Sequence, residues 1–121
     1  MPKRILIIDD EPDFTELTGT LLQFHNFEVE THNDPVDLER VIAGKKFDLI
    51  VSDLMMPGMD GFGVIRMLRG RDATRTIPII VLSAKTLSDE ERKMLLQNEV
   101  HFLTKPFDPQ GLVDQIRGLL K

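Results

Sequence analysis

Residues 5–12 read ILIIDDEP: four aliphatic side chains in succession, three carboxylates, then proline. An aliphatic run with no polar alternation has the pattern of a strand buried on both faces of a parallel sheet. Pro12 suits the first turn of a helix, where its missing N–H would have no partner anyway. Phe14, Leu17, Leu21 and Leu22 follow at helical spacing and are expected to face the core. Asp9, Asp10 and Glu11 therefore occupy the junction between a strand end and a helix start. Carboxylates crowded into such a junction repel one another unless a cation is held among them.

The same succession of strand and helix recurs along the chain. Strands are expected at Arg4–Ile8, Glu28–Thr31, Leu49–Ser52, Ile79–Leu82 and Phe102–Leu103, the second polar enough for an edge. Asp34-Pro35 opens the second helix as cap plus proline. Asp60 is placed to cap the third, which carries Val64, Ile65 and Leu68. Ser88 and Glu91 have the spacing of a capping box for the fourth. Asp108-Pro109 opens the fifth, with Leu112, Val113, Ile116, Leu119 and Leu120 toward the core. Parallel neighbours need crossover connections, and crossovers are right-handed, so five such units predict a doubly wound α/β fold. Residues 1–121 are read as one domain, without internal repeat or linker.

Composition narrows function by exclusion. A chain of 121 residues with 41% hydrophobic and 29% charged content has the make-up of an ordinary globular domain. The absence of cysteine removes disulfides, thiolate metal sites and thiol nucleophiles. No apolar run approaches the ~20 residues of a membrane span, and Met-Pro-Lys-Arg leads into the first strand without signal-peptide features. A cytoplasmic location is expected. The formal net charge of −5, from 20 acidic and 15 basic residues, argues against this domain gripping nucleic acid unaided. Arg66, Arg69, Arg71 and Arg75 form a local basic group, read as a solvated helix face with partner docking as the alternative. His25, His32 and His101 lack metal-ligand spacing. Gly61-Phe62-Gly63 lacks the lysine of a phosphate loop, and Met55, Met56 and Met59 read as packing and loop lining.

Open parallel sheets bind ligands outside the carboxyl ends of their strands. The first run ends at Asp9 and Asp10, the third at Asp53, the fourth at Ser83 and the fifth at Lys105. Parallel strands would bring all five to one rim. Carboxylate oxygens suit Mg²⁺, which takes one or two of them and completes its shell with water and phosphate oxygens. Together with the lysine it would neutralise phosphoryl oxygens during transfer. A carboxylate can then serve as nucleophile, forming an acyl phosphate. Asp53, between the acidic pair and the lysine, is best placed for that role, and Pro57-Gly58 turns the chain away from it.

Taken together, IIDDEP, LIVSDLMMPGMDGFGVIRMLR, IPIIVLSAK and FLTKPF have the order and spacing found in the receiver domain of bacterial two-component response regulators. The chain resembles that family over essentially its whole length. The resemblance implies a flavodoxin-like five-stranded parallel sheet, order 2-1-3-4-5, flanked by five helices. It implies that Asp53 accepts a phosphoryl group from a sensor histidine kinase or phosphotransfer protein. Asp10 would bind Mg²⁺ directly, with Asp53 and the backbone carbonyl of Met55, and Asp9 mainly through water. Lys105 would pair with Asp53 and then with the phosphoryl group. Ser83 matches the switch hydroxyl and Phe102 the aromatic switch residue. Met55, Met56, Ala84, Lys85 and Pro106 would border the site, with a cis peptide before Pro106.

The implied outcome is a changed surface on the fourth helix, fifth strand and fifth helix, controlling an output domain or downstream protein. Homodimerisation on phosphorylation is among the outcomes it allows. Such a protein is no enzyme beyond its own phosphoryl transfer and slow autodephosphorylation. Asn98 replaces a glycine frequent in the family and is expected to tolerate left-handed backbone. Phe102 lacks a tyrosine hydroxyl, and Met55, unable to orient water, is expected to slow hydrolysis. Glu11 is assigned to the helix start and not to the metal. Two rivals remain. A Mg²⁺-dependent phosphohydrolase with an aspartyl-phosphate intermediate would want a second aspartate where Met55 stands. A phosphorylation-independent docking module need not keep the acidic pair, Asp53, Ser83 and Lys105 together.

Overall fold

A computed structural model describes residues 2–34, 38–53, 55–56, 59–72, 74–83, 86–105 and 108–120, without the side chains at 39, 55, 56 and 59–61. Along the chain run β1 (Arg4–Ile8), α1 (Pro12–Phe24), β2 (Glu28–His32), α2 (Leu38–Gly44) and β3 (Leu49–Asp53). Then come β4 (Met55–Met56), β5 (Met59–Asp60), α3 (Gly61–Arg69), β6 (Ile79–Ser83), α4 (Asp89–Gln97), β7 (Val100–Thr104) and α5 (Pro109–Leu119). Five strands form one parallel sheet in the order β2-β1-β3-β6-β7. Counting sheet strands alone, this is the expected 2-1-3-4-5 order. The direction of winding reverses between β1 and β3, and that switch point opens a crevice at the strand ends.

The unalternated strands are explained by two cores. Ile5 and Ile7 of β1 join Leu49, Val51, Ile80 and Leu82 beneath α1 and α5. Leu6 and Ile8 join Ile50, Ile79 and Val81 beneath α2, α3 and α4. Neither face of the central strands meets water, and each such side chain contributes about 1.5–3 kcal/mol by its burial. The edge strand β2 is polar. Arg4 pairs with Glu28 at 3.3 Å, and Glu30 pairs with Lys45 and with His32, the latter at 2.9 Å. Charges along an edge discourage pairing with another chain. Lys45 first and His32 second hold the Glu30 carboxyl below its ordinary value.

Helix starts follow their caps. Ser88 Oγ accepts the Glu91 N–H at 3.1 Å while Glu91 Oε1 accepts the Ser88 N–H at 2.9 Å, the expected capping box. Asp108 Oδ1 accepts the Gln110 N–H at 3.3 Å ahead of α5. The expected Asp34-Pro35 opening of α2 and the Pro57-Gly58 turn involve residues outside the description, as does the side chain of Asp60. Asp60 itself pairs with Met55 across the β4–β5 hairpin, and α3 starts one residue later. Among the described residues no helix is long and apolar enough to cross a membrane.

Three expectations are corrected. Of the apolar stripe on α1, Leu17 is 74% exposed, whereas Leu22 is buried and Phe14 and Leu21 pack partly buried on the α1–α5 core; Thr15, Thr18 and Gly19 complete the inward face. Small residues share that face because α1 lies close over β2. A Cβ on Gly19 would meet Val29 at 3.5 Å and Thr31 at 3.6 Å. Second, the left-handed residue before β7 is Glu99, at φ 55°, and not Asn98, at φ −96°. The Asn98 side chain instead donates back to the Met94 carbonyl at 2.8 Å. Third, Arg69 is not a solvated member of a basic face. Its guanidinium donates to the carbonyls of Asn98 (2.8 Å), Ile77 (2.7 Å), Arg75 (3.0 Å), Thr74 (3.3 Å) and Glu99 (3.3 Å). It thereby ties the end of α3 to the turn that carries Glu99.

Candidate functional site

The site assembles where β1, β3 and β6 end. Asp9 directly follows β1 and is fully buried. Each of its polar groups is engaged. Its N–H donates to the His32 carbonyl at 3.1 Å, and its carbonyl accepts from Asn33 Nδ2 at 2.8 Å. Oδ1 accepts the Glu11 N–H at 3.0 Å, closing the turn into α1. Oδ2 accepts from Lys105 Nζ at 2.9 Å. Asp53 ends β3, is only 6% exposed, and accepts from the same ammonium at 3.4 Å. Asp10 is half-buried beside them.

Lys105 thus bridges the first and third strand ends from beyond the fifth. Its backbone N–H donates to the Ser83 carbonyl at 2.8 Å, which fixes it to the end of β6. Burial works against the ammonium. The hydrogen bond to Asp9 and the charge of Asp53 outweigh burial, so its pKa lies above the ordinary lysine value.

Carboxylate oxygens of Asp9, Asp10, Glu11 and Asp53 all lie within 4.8 Å of one another. Ligands on opposite sides of Mg²⁺, each ~2.1 Å from it, are ~4.2 Å apart, so the cluster fits such an ion after small side-chain movements. Glu11 belongs to this group as well as to the helix start, and its side chain makes no capping bond. Ser83 is fully buried at the end of β6. Phe102 lies on β7 opposite Val81 and packs partly buried against the α2–α4 core, so it borders the site's far side and not the carboxylates. The Met55 backbone starts the hairpin two residues after Asp53. Ala84, Lys85 and Pro106, the expected cis peptide, and the side chains of Met55 and Met56 lie outside the description.

Two neighbours were missed by sequence reading. Asn33 bonds Asp9 and also donates to Thr15 Oγ1 at 3.0 Å, clamping the β1–α1 junction to the end of β2. A census of strand ends that included the second strand would have found it. The Phe14 ring lies under Lys105, with Nζ 4.0 Å from its centroid. Only its place one turn into α1, four residues after Asp10, hinted at this.

A doubly wound parallel sheet with a lysine-bridged acidic cluster at its switch point defines a class of α/β phosphoryl-handling domain. Residues 5–117 match the response regulator receiver domain, and the chain belongs to that family. It is 34% identical over 119 residues to the phosphate regulon transcriptional regulatory protein PhoB of Pseudomonas aeruginosa, covering 98% of this chain and 52% of that protein. It is 36% identical over 121 residues to the response regulator MprA of Mycobacterium sp. (strain KMS), covering 100% of this chain and 52% of that protein. The chain therefore spans about half the length of the curated relatives it matches. The chemotaxis protein CheY4 of Vibrio cholerae superposes with a TM-score of 0.90 at 28% identity, covering 99% of this chain and 100% of that one. Receiver domains of response regulators are phospho-signalling switches and not classical enzymes. The family generally binds Mg²⁺ at an acidic pocket, and this chain has an acidic cluster, Asp9, Asp10, Glu11 and Asp53, at its strand ends.

Proposed function

We propose that this chain works as one receiver domain in which Asp53 accepts a phosphoryl group from a phosphohistidine on a sensor histidine kinase or phosphotransfer protein. The observation that carries the reading is the Lys105 ammonium bridging Asp9 and Asp53 inside a four-carboxylate cluster. An Asp53 oxygen attacks phosphorus, the P–O bond forms as the P–N bond breaks, and the imidazole leaves with the electron pair. Bound Mg²⁺ would neutralise the phosphoryl oxygens. Asp10, Asp53 and the Met55 carbonyl would hold it directly, and Asp9, already engaged by Lys105 and Glu11, would act through water. Lys105 then passes from Asp53 to the phosphoryl oxygens.

The Ser83 hydroxyl turns to the phosphoryl group and Phe102 moves inward behind it. The surface of α4, β7 and α5 changes and controls an output domain or partner, through a dimer or otherwise. The setting is cytoplasmic, and the domain itself does not contact nucleic acid. Incubation with acetyl phosphate and Mg²⁺ tests the reading by intact mass: one phosphoryl group is gained, and none in Asp53→Asn. A wild-type protein left unmodified, with phosphohistidine donors as well, contradicts it. Met55 cannot orient a hydrolytic water, so Met55→Asn should release inorganic phosphate faster than wild type, by roughly severalfold.

A further inference from the structure

The contacts of Lys105 are of two kinds. Two are anionic, to Asp9 at 2.9 Å and Asp53 at 3.4 Å, and one is the uncharged face of Phe14 at 4.0 Å. The side chain is only 16% exposed, so little water competes with the ring for the ammonium. A cation over an aromatic face is attracted by the ring quadrupole, the more so when desolvated. The two kinds of contact respond oppositely to a divalent cation. Asp9 and Asp53 belong to the carboxylate cluster that would hold the ion. Once their charge is shared with it, their pull on Lys105 falls and the ion itself repels the ammonium. The ring is no ligand, and its attraction persists.

Phe14 is well placed to act in this way. It sits in the first turn of α1, whose start is fixed by Pro12, by the Asp9–Glu11 turn and by the Asn33–Thr15 clamp. It also packs partly buried on the α1–α5 core, which restrains the ring. We infer that Phe14 is a positioning residue, whose ring face keeps the Lys105 ammonium seated at the rim when the cation claims the carboxylates. The inference rests on the phosphoacceptor reading for its kinetic consequence, but the seat itself is testable without phosphorylation.

The Lys105 ε-methylene NMR signal, identified by its loss in Lys105→Met, should be shifted upfield by the ring in wild type and in Phe14→Tyr. The shift should vanish in Phe14→Leu and survive addition of Mg²⁺ to the wild type. Phosphorylation by acetyl phosphate should be about tenfold slower in Phe14→Leu and in Phe14→Met, and near wild type in Phe14→Tyr. Two apolar replacements guard against one that fails to fold, which amide spectra would reveal. A shift erased by Mg²⁺, or folded Leu and Met variants phosphorylated at the wild-type rate, overturns the inference. If wild type never gains a phosphoryl group at Asp53, the phosphoacceptor reading fails, while the methylene shift still decides whether the ring seats the lysine.

Discussion

Lys105 bonds Asp9, Asp53 and Ser83 and lies over Phe14, and its charge state sets how the ammonium's contacts respond to pH. Its pKa is raised overall because Asp9 and Asp53 outweigh the cost of burial. A raised folded value means that the resulting stability is fully present below the ordinary lysine pKa of about 10.4 and is lost as pH rises through the folded value. Urea midpoints of wild type and Lys105→Met should therefore differ by a constant amount through neutral pH and converge only in strong alkali. Convergence near pH 7 would mean that the ammonium is not held as described. Asp9, Asp10, Asp53 and Lys105 were legible in the sequence because strand ends in a parallel sheet share one rim, whatever the details of packing. Phe14 and Asn33 were not, since a helix phenylalanine reads as core and an asparagine after an edge strand reads as loop. Their roles depend on distances between elements that no local pattern encodes.

Elements were legible to the degree that burial alone specifies them. The strands β1, β3 and β6 lie in the middle of the sheet with both faces covered, and their aliphatic runs show it directly. On α1, apolar spacing finds Phe14, Leu21 and Leu22 against the core but misplaces Leu17, and it misses the small residues beside them. Thr15, Thr18 and Gly19 face the sheet because a helix lying close needs small side chains more than greasy ones. The hairpin of β4 and β5 has two-residue strands, too short for any period to register. Arg69 shows a different limit: an arginine at a helix end looks solvated until the carbonyls it collects are in place. The fork of its guanidinium satisfies carbonyls from the 74–77 segment and from the Asn98–Glu99 turn, which includes a non-glycine residue at positive φ. Arg69→Met should cost about 2–3 kcal/mol of unfolding free energy, because those carbonyls lose their donor. Arg69→Lys should recover only part of it, since a point charge cannot reproduce the fork. Urea unfolding measures both, and a loss below about 0.5 kcal/mol would return Arg69 to the solvated surface.

For the whole molecule, the sheet separates the proposed acceptor from the proposed response surface. Alternation along the strands places Asp9 and Asp53 on the face shared by α1 and α5, together with Ile7 and Val51. The same alternation places Ser83 with Ile79 and Val81 on the face of α2, α3 and α4, where Phe102 packs against the core that includes Leu95 of α4. Ser83 ends the strand next to Asp53 and bonds Lys105 through its carbonyl, so a change at Asp53 has a short route to the opposite face. Ser83→Ala should still become phosphorylated on Asp53, yet the amide shifts that phosphorylation induces in α4 and β7 should shrink strongly. Equal shifts in wild type and variant would place the coupling elsewhere. The most direct test of the central claim is chemical. An acyl phosphate is reduced by borohydride, which converts the phosphorylated aspartate to homoserine. Protein treated with acetyl phosphate and Mg²⁺, then reduced and sequenced by mass spectrometry, should carry homoserine at position 53 alone. Homoserine at position 9 or 10, or at none, would contradict the account.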